Sequence, residues 1–415
     1  MANPIKSKWT PLFLSNFLGV YTDNLLKNSV IFISVTWMLP TWLNQSQLIS
    51  IVSASLIIPY LFLSPIGGRL AVKHSKKKVF RFFKLLELPV MLAACIAFYF
   101  HWGLLAVFTV LLIGILSCLY SPSKYSLIRD IGGEEGVSFG SGVFETMAFL
   151  GVLIGTITAS VISDIQNKWL IFALFIGLAL LGYFVTSVIN VDEQPEESED
   201  IGHLNPIRFL FDAYRFASQY SLVNSAVLGA ASFWLIGGML QMNLVIHTKH
   251  VYGASNTTTG VVMAIAAVGI ALGTWASGKI SGKEVRKGLI LIGIIGMTVF
   301  FLTLTFLKLN FNFYCAAVFI VAFLGGIFQV PNLSIIQQAR LGRKLGDMIA
   351  YLNLVTFIFV LIGTFLFWLT TYMTTENSFA VFGVIAIVCV LVTIYFIRKS
   401  PVFYQDILNW GKKKK

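Results

Sequence analysis

Gly103-Leu-Leu-Ala-Val-Phe-Thr-Val-Leu-Leu-Ile-Gly-Ile-Leu-Ser-Cys-Leu-Tyr-Ser-Pro-Ser-Lys124 is an almost unbroken apolar run that stops on a lysine. About 20 such residues, rising about 1.5 Å each as a helix, cross the hydrocarbon of a bilayer. The run is long and does not alternate, which reads as a helix and disfavours a β-barrel strand. Working outward, polar punctuation divides the chain into twelve such stretches. They lie at approximately 11–38, 47–72, 79–100, 103–125, 138–163, 168–190, 221–246, 257–280, 287–308, 312–337, 346–373 and 378–398. Several exceed about 25 residues and are expected to tilt or to run beyond the hydrocarbon. The first has no short apolar core followed by a small-residue cleavage site, so no cleaved signal peptide is expected.

Composition agrees. Of 415 residues, 57% are apolar and 12% charged, against about 25% charged in a soluble domain. So few charges cannot cover a water-facing surface of ordinary size, which excludes a cytosolic enzyme, a nucleic-acid-binding module and a disordered chain. The expected class is an all-α polytopic membrane protein. Cys95, Cys118, Cys315 and Cys389 all fall inside apolar spans without metal-ligand spacing, and read as small core residues.

The net charge of +12 is explained by where the charges lie. The N-terminus, the even-numbered connections and the tail hold 25 Lys and Arg, the second connection being assigned Lys73, Lys76, Lys77, Lys78, Arg81 and Lys84. The odd connections hold three, Lys168, Lys249 and Lys308, while Lys27 and Arg69 lie within spans. This asymmetry predicts cytoplasmic termini and a cytoplasmic central loop. Anionic lipid at the inner leaflet is the expected partner of the basic surplus, and nucleic acid is not needed. Lys412–Lys415, after Trp410, reads either as a lipid-surface anchor or as a solvated tail.

Midway lies the longest polar stretch. Its acidic run, Asp192 to Asp200, has too little apolar content to fold alone. Ile201, Leu204, Ile207, Leu210, Phe211 and Tyr214 follow at helical spacing, which predicts an amphipathic helix on the cytoplasmic membrane face. The expected organisation is a six-helix bundle over 1–190, a linker over 191–220, a second bundle over 221–400 and a basic tail over 401–415. An internal echo suggests duplication: Glu145 to Gly155 resembles Asn353 to Gly363, and Pro122 near the end of span four matches Pro331 in span ten. Parallel six-span halves resemble the major facilitator architecture. Gly67-Gly68-Arg69-Leu70-Ala71-Val72-Lys73-His74-Ser75-Lys76-Lys77 also resembles that superfamily's loop signature. Gly68 answers to its close helix contact, and Lys73, Lys76 and Lys77 to its basic cluster. Val72 stands where the superfamily usually has Asp, so its charge lock is expected to be weaker or built differently.

A charge at mid-bilayer costs about 2.5–3.5 kcal/mol on insertion scales, so each deep one needs a partner or a task. The candidates are Asp23, Lys27, Glu87, Lys124 and Glu145, all in the first half. The second half offers amides: Gln241, Asn243, Gln329, Asn332, Gln337 and Asn353. Asp23 and Lys27, four apart, share a helix face and read either as a mutual pair or as ligand groups. Asp23, Lys124 and Glu145 either neutralise one another or bind a zwitterion, with Lys124 taking a phosphate and a carboxylate taking an ammonium. Glu87, near Lys84, reads as structural.

Asp23-Asn24-Leu25-Leu26, Tyr120-Ser-Pro-Ser-Lys-Tyr125, Gly142-Val-Phe-Glu145 and Gly325-Gly-Ile-Phe-Gln-Val-Pro331 together resemble the bacterial lysophospholipid transporter family, in matching order across both halves. The resemblance implies a secondary transporter in the bacterial inner membrane, moving lysophospholipids between leaflets for reacylation and linked in function to an acyltransferase. Carried over by position, Asp23, Asn24, Lys124 and Glu145 become the substrate site, with Lys27, Gln241, Gln329, Asn332 and Asn353 as further cavity-lining candidates. Lys27 departs from the apolar residue expected there. Two rivals are a proton-coupled exporter of amphiphiles and a non-transporting partner of an acyltransferase. The exporter reading is weakened because Thr156-Ile157 follow Gly155 where drug antiporters carry proline. No phosphate-cradling glycine loop is present, the five histidines form no metal motif, and neither a cofactor nor an enzymatic role is expected.

Overall fold

The computed structural model describes residues 4–33, 37, 45–165, 167–193, 202–375 and 377–409. Among these the chain is helical throughout, with no strand. Helix α1 spans Pro4–Ile33, α2 Gln45–Lys73, α3 Lys76–Phe100, α4 Gly103–Ile165 and α5 Lys168–Ser187. The short α6, Pro206–Ala217, precedes α7 Val223–Tyr252, α8 Asn256–Ser281, α9 Gly288–Phe306 and α10 Phe311–Gln338. Next come α11 Leu345–Met373, α12 Ser378–Lys399 and the terminal α13 Val402–Leu408. Ten helices among the described residues are long and apolar enough to cross a membrane. One of them, the 63-residue α4, carries both the fourth and the fifth predicted spans, with a break in helical geometry at Gly133 (φ 58°). The predicted connection between those spans is thus helix rather than loop. The positive φ suits a residue without Cβ, so the turn falls on this glycine.

Polar caps set the helix ends. Asn167, Asn310 and Asn377 accept backbone N–H groups at the starts of α5, α10 and α12, and Ser75 and Ser255 do so at α3 and α8. Each satisfies a donor that the first turn leaves orphaned.

By contact the chain falls into two compact units. The first comprises Met1–Gly133, Leu150–Ala217 and Arg340–Leu354; the second comprises Glu134–Phe149, Ser218–Ala339 and Val355–Lys415. In the first unit, α1 lies directly on the later part of α4. A Cβ on Gly151 would sit 2.8 Å from the Phe17 carbonyl oxygen, and one on Gly155 would sit 2.8 Å from that of Tyr21. Tyr21 and Thr158 hydroxyls meet at 3.1 Å, and Asn28 Nδ2 donates to Thr156 Oγ1 at 2.9 Å across the same seam. Backbone cannot retreat as a flexible side chain can. Gly155→Ala is therefore expected to cost about 1–3 kcal/mol as overpacking, read as a lowered thermal midpoint in detergent. An unchanged midpoint would mean that α1 yields freely.

Helix α6 has two apolar faces. Phe209, Ala213 and Ala217 are buried against the protein, while Ile207, Phe211 and Tyr214 of the predicted stripe stay exposed. In the second unit, α10 packs with α7, α8 and α9, and α13 folds against α9, where the Gly288 N–H donates to Asp406 Oδ2 at 2.8 Å. Cys95, Cys118 and Cys389 are buried and Cys315 half-buried, all as free thiols. The basic tail 412–415 and residues 194–201 lie outside the described residues.

Candidate functional site

Helices α1, α3 and α4 of the first unit bring a set of charges together. Asp23 Oδ2 accepts from the Ser117 hydroxyl at 2.9 Å, and that hydroxyl lies 3.3 Å from Tyr120 Oη. Lys124 Nζ donates to Asn16 Oδ1 at 2.9 Å and sits 5.6 Å from the centre of the Tyr120 ring. From α3, Lys84 approaches the same ring at 5.2 Å while donating to both oxygens of Glu87, at 2.7 and 2.9 Å. Lys84 and Glu87 are each 1% exposed. A Cβ added at Gly19 of α1 would lie 2.9 Å from Lys84 Nζ, so this glycine makes room for the ammonium. The positive charges of Lys84, Lys124 and Lys27 all act on Asp23, whereas Asp23 Oδ1 is buried without a hydrogen-bond partner. Tyr120 is the common wall. Its ring face attracts both ammonium groups, and its hydroxyl joins the Ser117 bridge.

The sequence-selected residues fare differently. Asp23 and Lys124 belong to one electrostatic cluster. Asn24 lies on α1 and donates to the Val20 carbonyl within its own helix at 2.9 Å. Lys27 donates to Asn24 Oδ1 at 3.2 Å rather than to Asp23, so the four-residue spacing yields an electrostatic neighbour and no direct ion pair. Glu145, 2% exposed, lies in the Glu134–Phe149 segment and is described with the second unit. Asn353 donates to Ser121 Oγ at 3.1 Å inside the first unit. In the second unit Gln329 and Asn332 are buried, each with its side-chain carbonyl oxygen unpartnered, while Gln241 is exposed. Glu87 is ion-paired, as its nearness to Lys84 suggests. Lys84 itself was assigned to the basic connection, and there the structure differs: α3 starts at Lys76, which puts Lys84 more than two turns inside. The signal for its depth is Glu87, three residues on, since an acid there implies a partner on the same face.

The loop signature forms a second polar assembly, also in the first unit. Glu193, from the start of the linker, accepts from Ser75 Oγ at 2.8 Å and from the N–H groups of Lys76 and Lys77 at 2.6 and 3.1 Å. Its carboxylate thus caps the positive end of α3. Arg343 Nη1 meets Glu193 at 3.2 Å, and its Nε donates to the Val72 carbonyl at 3.0 Å; Nη2 donates to the His74 carbonyl. Lys76, 1% exposed, pairs with Asp130 at 2.7 Å, and Lys77 Nζ donates to the Val191 carbonyl at 3.1 Å. Lys73 is exposed. An added Cβ on Gly68 would lie 2.6 Å from Asp347 Oδ1, which accounts for the glycine. Glu193 brings an acid to this end of the signature, paired with the same Arg343 that holds the Val72 carbonyl. Glu193, the second residue of the run expected not to fold alone, is locked in place, because α3 and Arg343 supply its donors. Burial of Glu193 favours its neutral form, but the hydroxyl, the two N–H groups and Arg343 outweigh that and hold its carboxyl below the usual carboxylate range.

Long apolar helices that carry paired buried charges define a multi-pass membrane protein. The sequence profile of the Major Facilitator Superfamily matches residues 12–364 and, in a second alignment, 228–412. The chain belongs to that superfamily: it is a membrane transporter and not an enzyme. It is 25% identical over 359 residues to the lysophospholipid transporter LplT of Pectobacterium carotovorum, covering 85% of this chain and 84% of that one. To LplT of Serratia proteamaculans it is 26% identical over 349 residues, covering 82% of each. Its fold is similar to the crystal structure of the Escherichia coli fucose:proton symporter FucP, with a TM-score of 0.76 at 12% identity over 96% of this chain and 100% of that one.

Proposed function

We propose that the protein moves lysophospholipids across a bacterial inner membrane by alternating access, with the headgroup held at Asp23, Asn24 and Lys124. The observation that carries this reading is the unpartnered Asp23 Oδ1 beside three ammonium groups. A zwitterionic or phosphate-bearing guest finds an acceptor and donors there, Asp23 being oriented by Ser117 and Lys124 by Asn16. The names of the relatives support the choice of cargo. So does the energetics of a single-chain lipid: each CH₂ removed from water is worth roughly 0.8 kcal/mol, so the headgroup needs a polar path while the tail stays in lipid. Glu145 retains its candidacy through the family resemblance alone. The excess of basic residues in the N-terminus, the even-numbered connections and the tail supports cytoplasmic termini, which delivers cargo to the face where an acyltransferase would reacylate it.

The test is leaflet-resolved movement of labelled lysophospholipid in vesicles containing only the purified protein, with and without a proton gradient. Transport above empty vesicles is the expected result. No movement under either condition, from folded protein, overturns the proposal.

A further inference from the structure

The Asp23 carboxylate has one oxygen fixed and one unfilled: Oδ2 accepts from Ser117 at 2.9 Å, while Oδ1 is buried without a hydrogen-bond partner. The group that fixes it has a support of its own. Ser117 Oγ also lies 3.3 Å from Tyr120 Oη, one turn further along α4. A serine hydroxyl carries one hydrogen and a phenol one. An ionised carboxylate only accepts, so the Ser117 hydrogen goes to Asp23 and the Tyr120 hydrogen points at Ser117 Oγ. The contacts therefore run in one direction, from phenol to hydroxyl to carboxylate, and hydrogen bonds in such a chain polarise one another. Packing anchors the far end. Tyr120 is buried, its ring centre lies 5.0 Å from that of Phe80 on α3, and Lys84 approaches its face at 5.2 Å.

Resting on the transport reading, we propose that Tyr120 is a positioning residue of the headgroup site: through Ser117 it holds Asp23 with Oδ1 presented to an ammonium, and so favours lysolipids whose headgroup carries one. Lysophosphatidylethanolamine has such a group, whereas lysophosphatidylglycerol has hydroxyls in its place. An ammonium meets a carboxylate through a charge-assisted hydrogen bond, whose strength depends on where the carboxylate points. A glycerol hydroxyl is less demanding, because it is neutral and turns to donate or accept as its neighbours require. Tyr120 itself touches no cargo in this scheme; it acts through Ser117 on Asp23.

The experiment compares initial rates for the two lysolipids in phosphatidylcholine vesicles, using the full-length protein, Tyr120→Phe, Ser117→Ala and the double variant. These substitutions leave every charge in place, and Tyr120→Phe keeps the ring that Lys84 and Lys124 face. Tyr120→Phe is expected to lower the ratio of ethanolamine to glycerol lysolipid rates about threefold, and Ser117→Ala about tenfold, the range of one or two hydrogen bonds. The double variant is expected to match Ser117→Ala, because the phenol acts only through the serine. A purely structural role for Tyr120 would slow both substrates alike and would add its cost to that of Ser117→Ala. If Ser117→Ala fails to fold, the ratio for Tyr120→Phe, which loses a single buried atom, still decides. A ratio unchanged by Tyr120→Phe, or losses that add in the double variant, overturns this inference and leaves the transport reading standing. Movement of neither lysolipid by the unsubstituted protein overturns both.

Discussion

Lys124→Met is expected to slow lysophospholipid movement by about 10- to 100-fold, the loss of one charge-assisted hydrogen bond, while the protein still inserts and folds. Lys124 is oriented by its neighbours: Nζ donates to Asn16 Oδ1 at 2.9 Å, and the rings of Tyr120 and Tyr125 lie 5.6 and 5.5 Å from it. An ammonium oriented before binding loses little freedom when a phosphate arrives. Asp23→Asn is expected to fall in the same range, because the amide keeps an acceptor for Ser117 but loses the charge. Asn16→Ala, which removes one acceptor from the lysine, should cost a few-fold. Initial rates in vesicles measure all three, and wild-type rates for Lys124→Met and Asp23→Asn would remove these residues from the path of the cargo.

Arg343→Ala is expected to open the assembly around Glu193 and to speed amide hydrogen exchange at residues 75–77 by at least about tenfold. Removing one partner of a buried ion pair costs about 3–5 kcal/mol because the other is left uncompensated. Here the carbonyls of Val72 and His74 lose donors as well. Glu193→Gln should be milder, since an amide oxygen still accepts from Ser75 and the α3 N–H groups. The pH dependence follows from the depressed carboxyl of Glu193. Its stabilising contribution is complete above the unfolded value of about 4.3 and fades as pH falls through the folded value below it. Exchange at 75–77 should therefore be insensitive to this group between about pH 6 and 8 and rise only below about pH 4. Exchange unaltered by Arg343→Ala would show that the arginine holds nothing shut.

The helices were legible because hydrocarbon imposes one rule, that backbone polar groups must be satisfied within the segment, and long apolar runs announce the answer. Depth was less legible. Lys84 follows a run of basic residues that are counted with the connection, and linear order does not say that α3 begins as early as Lys76. The Asp23–Lys27 spacing correctly gave one helix face, but which acceptor a flexible lysine chooses depends on neighbours, and here Asn24 is the nearer one. Arg343 escaped notice because its carboxylate lies 150 residues away, a separation that no local pattern encodes. Gln241 is a polar residue on a largely apolar helix; its exposure is set by helix rotation, which an all-round apolar helix does not advertise.

That same long separation has a bearing on biosynthesis. At about 5–20 residues per second, a ribosome needs roughly 8–30 s to extend the chain from Glu193 to Arg343. For that interval the nascent protein lacks the Arg343 contact with Glu193, which is added only when the second half of the chain is made. A chain truncated before residue 340 would keep its early helices yet never acquire that final fastening.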